Sequence, residues 1–382
     1  MKKLALIGAG EMGKIIAKRA KDMGNIETHC FAWEEGAVAK EFVDYFYPIS
    51  VTDSESILEK CKEIGVDGVL STTGFGNRAA AFVQDKLNLI GNSWEVFQRV
   101  SDKFKNREMI SNVSELKNPN YFICYNYSDV ENFDFSYPVV VKPVKGGAKV
   151  GVRTANDVDE LVDAFCDAEK VAKKYNVGVI IEEYIGGEEY SVESLSFKGK
   201  NYILMITEKE NSGSPLYVEL AHHQPADISK SVWDKIVVAV DKGLTAIGLE
   251  NGACHTEVKV WNNEVYLIEF NPRPGGDHIA YPLTELSSGY PYVTGMIQVA
   301  LDELNPINLD EYEKAYAGIF FVVEQTKNLK DVFDDCQNHS WCYEKHKVTD
   351  NFIEYKNNNG FRINYFIYCD KNKVPVKKLK EM

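Results

Sequence analysis

Apolar and polar positions change period several times along the chain, and the changes mark out its units. The apolar run at 4–7 (LALI) has the length of a buried strand, and Glu11 to about Met23 follows with the 3.6-residue period of a helix. The alternation repeats with a strand near Thr28–Ala32, a strand at Gly68-Val69-Leu70, a helix over Asn77–Asp85 and a short apolar run at Leu89-Ile90-Gly91. Strands alternating with helices predict a parallel, doubly wound half-domain ending near residue 92. Ser93 caps a charged helix carrying Lys103 and Arg107, and lysines on its exposed face are expected to be solvated. Beyond it come a valine-rich strand ending at Lys142-Pro143, a helix from Asp157 to about Tyr175, a buried strand at Val179–Ile181 and a helix from Ser231 to Leu249. Leu283–Leu304 reads as a helix broken by Gly289-Tyr290-Pro291. From about residue 315 the pattern is strand-like (AGIFFVV, NFIEYK, FRINYFIYCD), which predicts a small β-rich cap packed on the core and a frayed basic tail, VKKLK.

Between Cys254 and Gly276 the period is two, interrupted by a tight turn and ended by a Pro/Gly-rich loop. His255, Glu257 and Lys259 share one strand face, and Glu269 and Asn271 share one face of the next strand. The connection decides whether the two acids meet. A two-residue loop at Asn262-Asn263 sets Glu257 opposite Ile268. A three-residue loop, Asn262 to Glu264, makes Glu257 and Glu269 neighbours and stacks Val258 on Ile268 and Val260 on Tyr266. The three-residue loop is therefore expected. Two carboxylates and the Asn271 amide oxygen then converge, a cluster that repels itself without a cation. Hard oxygen ligands suit Mg2+ or Mn2+, which bind substrate phosphates through one or two carboxylates. Acids on a solvated sheet face are the plainer reading of any such pair. Asn271, the rigid Pro272/Pro274 pair and Arg273, placed to meet an anionic substrate group, weigh against it.

Composition narrows the classes. A length of 382 residues suggests two to four units, and 45% hydrophobic with 26% charged residues describes a soluble globular protein. No apolar run has the length of a membrane span. The start MKKLALIGAG has the look of a short signal peptide, but its glycines and the amphipathic stretch after it read better as a strand entering a helix. Eight scattered cysteines without a CxxC pair suit neither zinc nor a disulfide frame, and a reducing cytoplasm is expected. A formal charge of −14 argues against a nucleic-acid partner. It also means that any bound anion, such as ATP, must be held by particular lysines and metal ions.

Several local blocks carry chemistry. Gly8-x-Gly10-x-x-Gly13 has the form of the dinucleotide fingerprint, with Glu34 and Glu35 after the second strand. The same form occurs in Rossmann-like domains that bind no dinucleotide. At 138–153 (PVVVKPVKGGAKVGVR) a strand runs into a basic glycine loop whose N–H groups can wrap phosphate, with Lys142, Lys145 and Lys149 adding charge. It is not a Walker A loop, since GxxxxGK[ST] is absent. After Val179–Ile181 polarity switches abruptly to acids through Glu189. Residues 216–225 (LYVELAHHQP) place Glu219 and His222 in a loop or strand end. Adjacent His222 and His223 face opposite ways on a strand, so joint chelation is not expected.

Glu257, Glu269, Asn271 and Arg273, with Lys103, Lys142 and the glycine loop in order before them, resemble the ATP-grasp superfamily over roughly residues 1–305. The resemblance implies an α/β, ATP-grasp fold: a Rossmann-like pre-ATP-grasp domain at 1–92, a small lid domain with linker helix at 93–190, a large domain with the metal and substrate site at 191–305, and a β-rich subdomain at 306–382. It implies ATP held by Lys103, Lys142, Gly146, Gly147 and Gly151 at the phosphates. Glu182, Glu183 and Ile185 would lie at the adenine and Glu189 at the ribose. Mg2+ or Mn2+ would sit on Glu257, Glu269 and Asn271, and Arg273 would stabilise an acyl phosphate. Many relatives carry a serine where Ala148 and Lys149 stand. Glu-x-x-His-His-x-Pro, followed by HTEVK and RPGGD, resembles the L-amino-acid ligase branch, which places Glu219, His222 and Gly276 at an amino-acid pocket. His255 shares the face of Glu257 and could touch that pocket or be structural. The implied activity is an ADP-forming ligase for a small-molecule carboxylate and amine, first a dipeptide ligase. The alternatives are a ligase acting on a ribosylamine, an NAD-dependent oxidoreductase resting on the fingerprint alone, and a non-catalytic ATP-binding subunit. Homodimerisation is a family-level expectation.

Overall fold

The first strand β1 (Lys2–Ile7) pairs in parallel with β2 (Ile26–Phe31) on one side and, further along the chain, with β4 (Gly68–Ser71) on the other; β3 (Tyr45–Tyr47) extends the sheet beyond β2. This is the computed structural model of the chain, and it describes all residues except 135, 148, 214–216, 357–361 and 374–382. Ala148 and the basic tail at 376–380 thus lie outside the described residues. Helices α1 (Glu11–Met23), α2 (Ser54–Ile64) and α3 (Asn77–Leu87) connect the strands, as the alternating pattern predicts. Gly8 has φ +111°, and a Cβ there would lie 2.5 Å from the Thr72 hydroxyl. The first fingerprint glycine is thus required by close packing of the β4–α3 turn. Leu89-Ile90-Gly91 forms no strand. Asn88 takes a left-handed conformation and the Leu89 N–H bonds back to Gln84 O at 2.9 Å, so this segment closes α3.

The charged helix is two helices, α4 (Trp94–Val100) and α5 (Lys103–Ser111), because the Asp102 carboxylate accepts from Lys105 N at 3.0 Å and starts a new helix. Lys103 is not solvated as expected but pairs with Glu269, and Arg107 is 1% exposed and anchors two other segments. A second sheet of four antiparallel strands follows, in the order β5 (Tyr121–Cys124), β8 (Val179–Glu183), β6 (Val139–Pro143), β7 (Arg153–Ala155). Helix α6 (Val158–Tyr175), capped by Asp157, covers it through Leu161, Phe165 and Ala168.

The third sheet has eight antiparallel strands. Strands β9 (Glu188–Phe197), β10 (Lys200–Asn211) and β11 (Glu219–Gln224) lie at its centre, and β12 (Gly252–Trp261) and β13 (Glu264–Asn271) form one edge. Helix α7 (Lys230–Ile247) covers it, while the buried core of the first sheet continues through Leu195 and Ala253 into it. The expected C-terminal cap is part of the same sheet. β14 (Tyr316–Val322) pairs with β11, and β16 (Asn364–Asp370) and β15 (Cys342–His346) follow, so the N–H and C=O groups of β11 are satisfied on both sides. NFIEYK is not a strand; Tyr355 bonds Gln325 through both its N–H and its C=O, and its ring is buried.

Candidate functional site

The hairpin between β12 and β13 has a two-residue turn, not the three-residue loop expected. Asn262 (φ 50°) and Asn263 (φ 62°) both occupy the left-handed region, and Trp261 pairs with Glu264. Paired asparagines accommodate positive φ at both central positions, the geometry that matches strand twist. Val260 therefore meets Val265 and Val258 meets Leu267, rather than Tyr266 and Ile268. A bulge between Glu257 and Val258 then shifts the register by one, leaves Ile268 unpaired and brings Glu257 opposite Glu269, with His255 opposite Asn271. The two acids meet by a route the local sequence does not specify.

Cations already sit against these acids. Lys103, at the start of α5, is 2.8 Å from Glu269 and donates to Gly146 O at 3.3 Å, so one ammonium bridges the acid strand and the glycine loop. Lys209 on β10 is 2.5 Å from Glu189, 3.3 Å from Glu219 and 4.0 Å from Glu257. Burial alone would lower the Lys209 pKa; the three carboxylates outweigh it and raise it well above the ordinary lysine value. Burial likewise opposes ionisation of Glu257, but Lys209 and His255 hold its carboxyl well below the usual range. His255 is pressed against the fully buried Glu193, which also accepts from Gly275 N at 2.9 Å. Although burial disfavours its charge, Glu193 lifts the imidazole to about 9. Its other nitrogen is 3.7 Å from Glu257. Lys209, Glu193 and Gly275 were not singled out in the sequence. The polar run after Ile206 gives no sign of their roles, and only the strand order shows which acids Lys209 faces.

At the expected adenine end, Glu182 is 2% exposed and receives Arg107 Nε at 2.9 Å, Arg107 Nη2 at 3.2 Å and Lys142 Nζ at 2.7 Å. Desolvation works against both charges of the Lys142–Glu182 pair. The carboxyl stays below its ordinary value through Arg107 and Lys142, and burial brings Lys142 down despite Glu182. Glu183 donates its N–H to Asn120 O at 2.9 Å and its carboxylate accepts from the Asn120 side-chain amide at 3.0 Å, so that N–H is already committed. Ile185 is buried and its carbonyl accepts from Lys259 at 2.9 Å. In the glycine loop, Gly146 (φ 148°) and Gly151 (φ 76°) lie against Val171 of α6, whereas a Cβ on Gly147 would meet nothing within 4 Å.

Glu219 is the first residue of β11 and is 4% exposed, with Lys149 at 3.2 Å beside Lys209. Burial raises its carboxyl pKa despite the two lysines. His222 pairs across the strands with Lys209, is fully buried and meets Phe321 edge-on; among the described residues neither ring nitrogen has a hydrogen-bond partner. A Cβ on Gly276 would meet nothing within 4 Å, so its backbone borders open space. Arg273 donates to Pro274 O at 2.9 Å, and a Cβ on Gly74 would lie 3.7 Å from its Nε, so it reaches the β4–α3 turn.

Burial holds His222 well below the ordinary histidine value and His278 at about 3. The unfolded chain binds protons at both that the folded chain refuses. Stability is therefore retained above about pH 6.5 and falls as pH drops from there toward 3, by up to about 1.4 kcal/mol per pH unit for each histidine. Urea unfolding of a His222→Gln variant between pH 7 and 4 should show a shallower slope than the unsubstituted chain. Equal slopes would mean that His222 is protonated in the fold.

A divalent cation fits the donor set at the hairpin. Among the described residues no group of three His, Cys, Asp or Glu side chains is gathered for a metal. Two facing carboxylates with an amide oxygen in the next row are, however, the sparse set Mg2+ uses when phosphates supply its other ligands. Lys103 and Lys209 presently provide the positive charge those acids require.

Residues 135–281 match the ATP-grasp domain family. The chain is 25% identical over 289 residues to the formate-dependent phosphoribosylglycinamide formyltransferase of Prochlorococcus marinus, an alignment covering 72% of this chain and 70% of that protein. In structure it is similar to the L-amino acid ligase of Bacillus licheniformis, with a TM-score of 0.80 and 22% identity over 100% of this chain and 96% of that one. It is also similar to the biotin carboxylase domain dimer of the Hydrogenobacter thermophilus 2-oxoglutarate carboxylase, solved with ADP and MgADP, with a TM-score of 0.76 and 19% identity over 97% and 86% of the two chains. The fold expected from the ordered motifs is thus the fold of this chain. Among the described residues no helix is long and apolar enough to cross a membrane.

Proposed function

We propose that this chain, an ATP-grasp protein and a carboxylate–amine ligase of the ADP-forming kind, joins two amino acids through an acyl phosphate. The observation that carries the amino-acid reading is Glu219: a buried carboxylate one lysine away from Glu257, whose outer partner is the half-exposed ammonium of Lys149. The α-ammonium of an amino acid has the chemistry to take the place of Lys149, which would set its carboxylate near the hairpin. His222 behind Glu219 and the open backbone at Gly276 complete that wall.

In this reading Glu182, Glu183 and Ile185 line the adenine, Glu189 accepts from the ribose hydroxyls, and the N–H groups of Gly146, Gly147 and Gly151 face the phosphates. Lys103, placed between Glu269 and Gly146 O, and Lys142, at the end of β6, balance phosphate charge. Glu257, Glu269 and Asn271 would hold Mg2+ or Mn2+, which supplies charge neutralisation at the phosphates when bound. A substrate carboxylate oxygen attacks the γ-phosphorus, the bond to the bridging oxygen breaks, and ADP leaves. The amine nitrogen of the second substrate then attacks the acyl carbon, phosphate departs with the former carboxylate oxygen, and the nitrogen loses a proton. Arg273 stabilises the oxyanion of that second step, and positioning with fixed charges provides the acceleration.

The formyltransferase relative favours one second reading, a ligase that activates formate or a similar small acid for a ribosylamine. Phosphate release from MgATP separates the two. Release that requires a particular pair of amino acids supports the dipeptide ligase, and release only with formate and phosphoribosylglycinamide supports the second reading. ATP binding without release in any mixture would sink both and point to a silent ATP-binding subunit.

A further inference from the structure

Arg107 is the largest fully buried side chain of the described residues, and nothing in the proposed chemistry uses it. Its guanidinium is fully engaged on both edges. Nε and Nη2 hold the two oxygens of Glu182 at 2.9 and 3.2 Å, while Nη1 donates to Leu267 O at 3.2 Å and Nη2 to Ile268 O at 2.6 Å. These partners belong to two different sheets: Glu182 lies on β8 of the four-stranded sheet, and Leu267 and Ile268 lie on β13 of the eight-stranded one.

The place of contact matters. Among the described residues β13 is an edge strand whose one partner strand is β12, with an isolated bridge from Tyr266 to Lys117, so its outward carbonyls have no strand to pair with. Arg107 satisfies two of them, and Lys117 O takes the Leu267 N–H at 2.9 Å from the same side. Ile268 is the residue that the bulge leaves out of register, and that bulge alone brings Glu257 opposite Glu269 behind a two-residue turn. Without an outside anchor, the hairpin could run in uninterrupted register from its turn, which would set Glu257 opposite Ile268 and turn Glu269 to the other face. A planar fork of five donors can grip a carboxylate and two carbonyls at once; a lysine ammonium cannot span them.

We propose that Arg107 is a positioning residue that pins the Ile268 bulge and so fixes the Glu257–Glu269 pair relative to Glu182. The inference rests on the metal role proposed above for that pair. The test is Arg107→Lys in the full chain, with Glu269→Gln beside it. Direct binding of Mn2+ in the presence of ADP, followed by electron paramagnetic resonance, is expected to weaken by about 10–100-fold in Arg107→Lys, the range for residues that orient metal ligands. Metal-free ADP binding should change by less than about threefold, because the lysine keeps a positive charge beside Glu182. Hydrogen exchange at 266–270 should be faster without any ligand. A globally loosened fold would instead speed exchange in all three sheets and weaken ADP equally, and that pattern would overturn the proposal. So would Arg107→Lys binding Mn2+ as the unsubstituted chain does while Glu269→Gln loses it, which leaves the metal site standing. Unchanged Mn2+ affinity in Glu269→Gln removes the metal reading and this inference with it. Should Arg107→Lys not fold, Glu182→Gln weakens the same anchor, and a smaller loss of Mn2+ affinity is expected there; no loss would overturn the role.

Discussion

Replacing Glu269 by glutamine is expected to lower amino-acid-dependent phosphate release by about 10²–10³-fold with little change in stability. Glu269 is one of two carboxylates brought face to face by the bulge, and its side chain keeps 30% of its exposure, so phosphates can approach it. Glutamine preserves shape and hydrogen bonding but removes the charge a divalent cation needs. The stability cost is small because the partner, Lys103, is itself partly exposed, and an ion pair of this kind contributes about 0–1 kcal/mol. Phosphate release and thermal unfolding of the same preparation check both halves. Unimpaired release would remove Glu269 from the site.

Lys209→Met reverses that balance, since the larger effect there is on stability. One buried ammonium compensates Glu189, Glu219 and Glu257, and both Lys209 and Glu219 have side chains only 5% exposed. Removing one partner of a buried ionic group leaves uncompensated charge, at a cost of about 3–5 kcal/mol. That corresponds to a fall in the unfolding temperature of roughly 10 °C for a chain of this size. The sign of the pH effect follows. Burial already raises Glu219 above its ordinary value, and loss of Lys209 raises it further. A carboxyl raised in the fold costs stability above its unfolded pKa and nothing well below it, so the deficit should shrink as pH falls from 7 through 5. Urea unfolding at both pH values measures this, and a variant as stable as the unsubstituted chain at pH 7 would show that Lys209 does not balance the three acids.

How far the sequence alone reaches depends on whether the deciding contact is local. The βα repeat, the break at Gly289-Tyr290-Pro291 and the caps at Ser93 and Asp157 are short-range, and their signals are in the residues themselves. The Glu257–Glu269 pair was legible only as an outcome. Periodicity shows that the two acids can share a face, but the asparagine turn sets a different register, and correcting it takes a bulge with contacts from Arg107, 160 residues away in sequence. Arg107 carries no assigned role in the sequence, because a helix pattern does not show which sheet edge will cover it. Lys209 was silent for a related reason, since its three acids come from β9, β11 and β12. Alternation likewise revealed strands after residue 315 without revealing that β14 pairs with β11.

The most direct test of the account follows the oxygen. With an amino-acid substrate carrying ¹⁸O in its carboxylate, MgATP and the second amino acid, an acyl-phosphate route transfers one ¹⁸O to each phosphate released as the peptide bond forms. That transfer, dependent on both amino acids, is the predicted result. Phosphate released without ¹⁸O while dipeptide accumulates, or no dipeptide from any pair, would contradict the account.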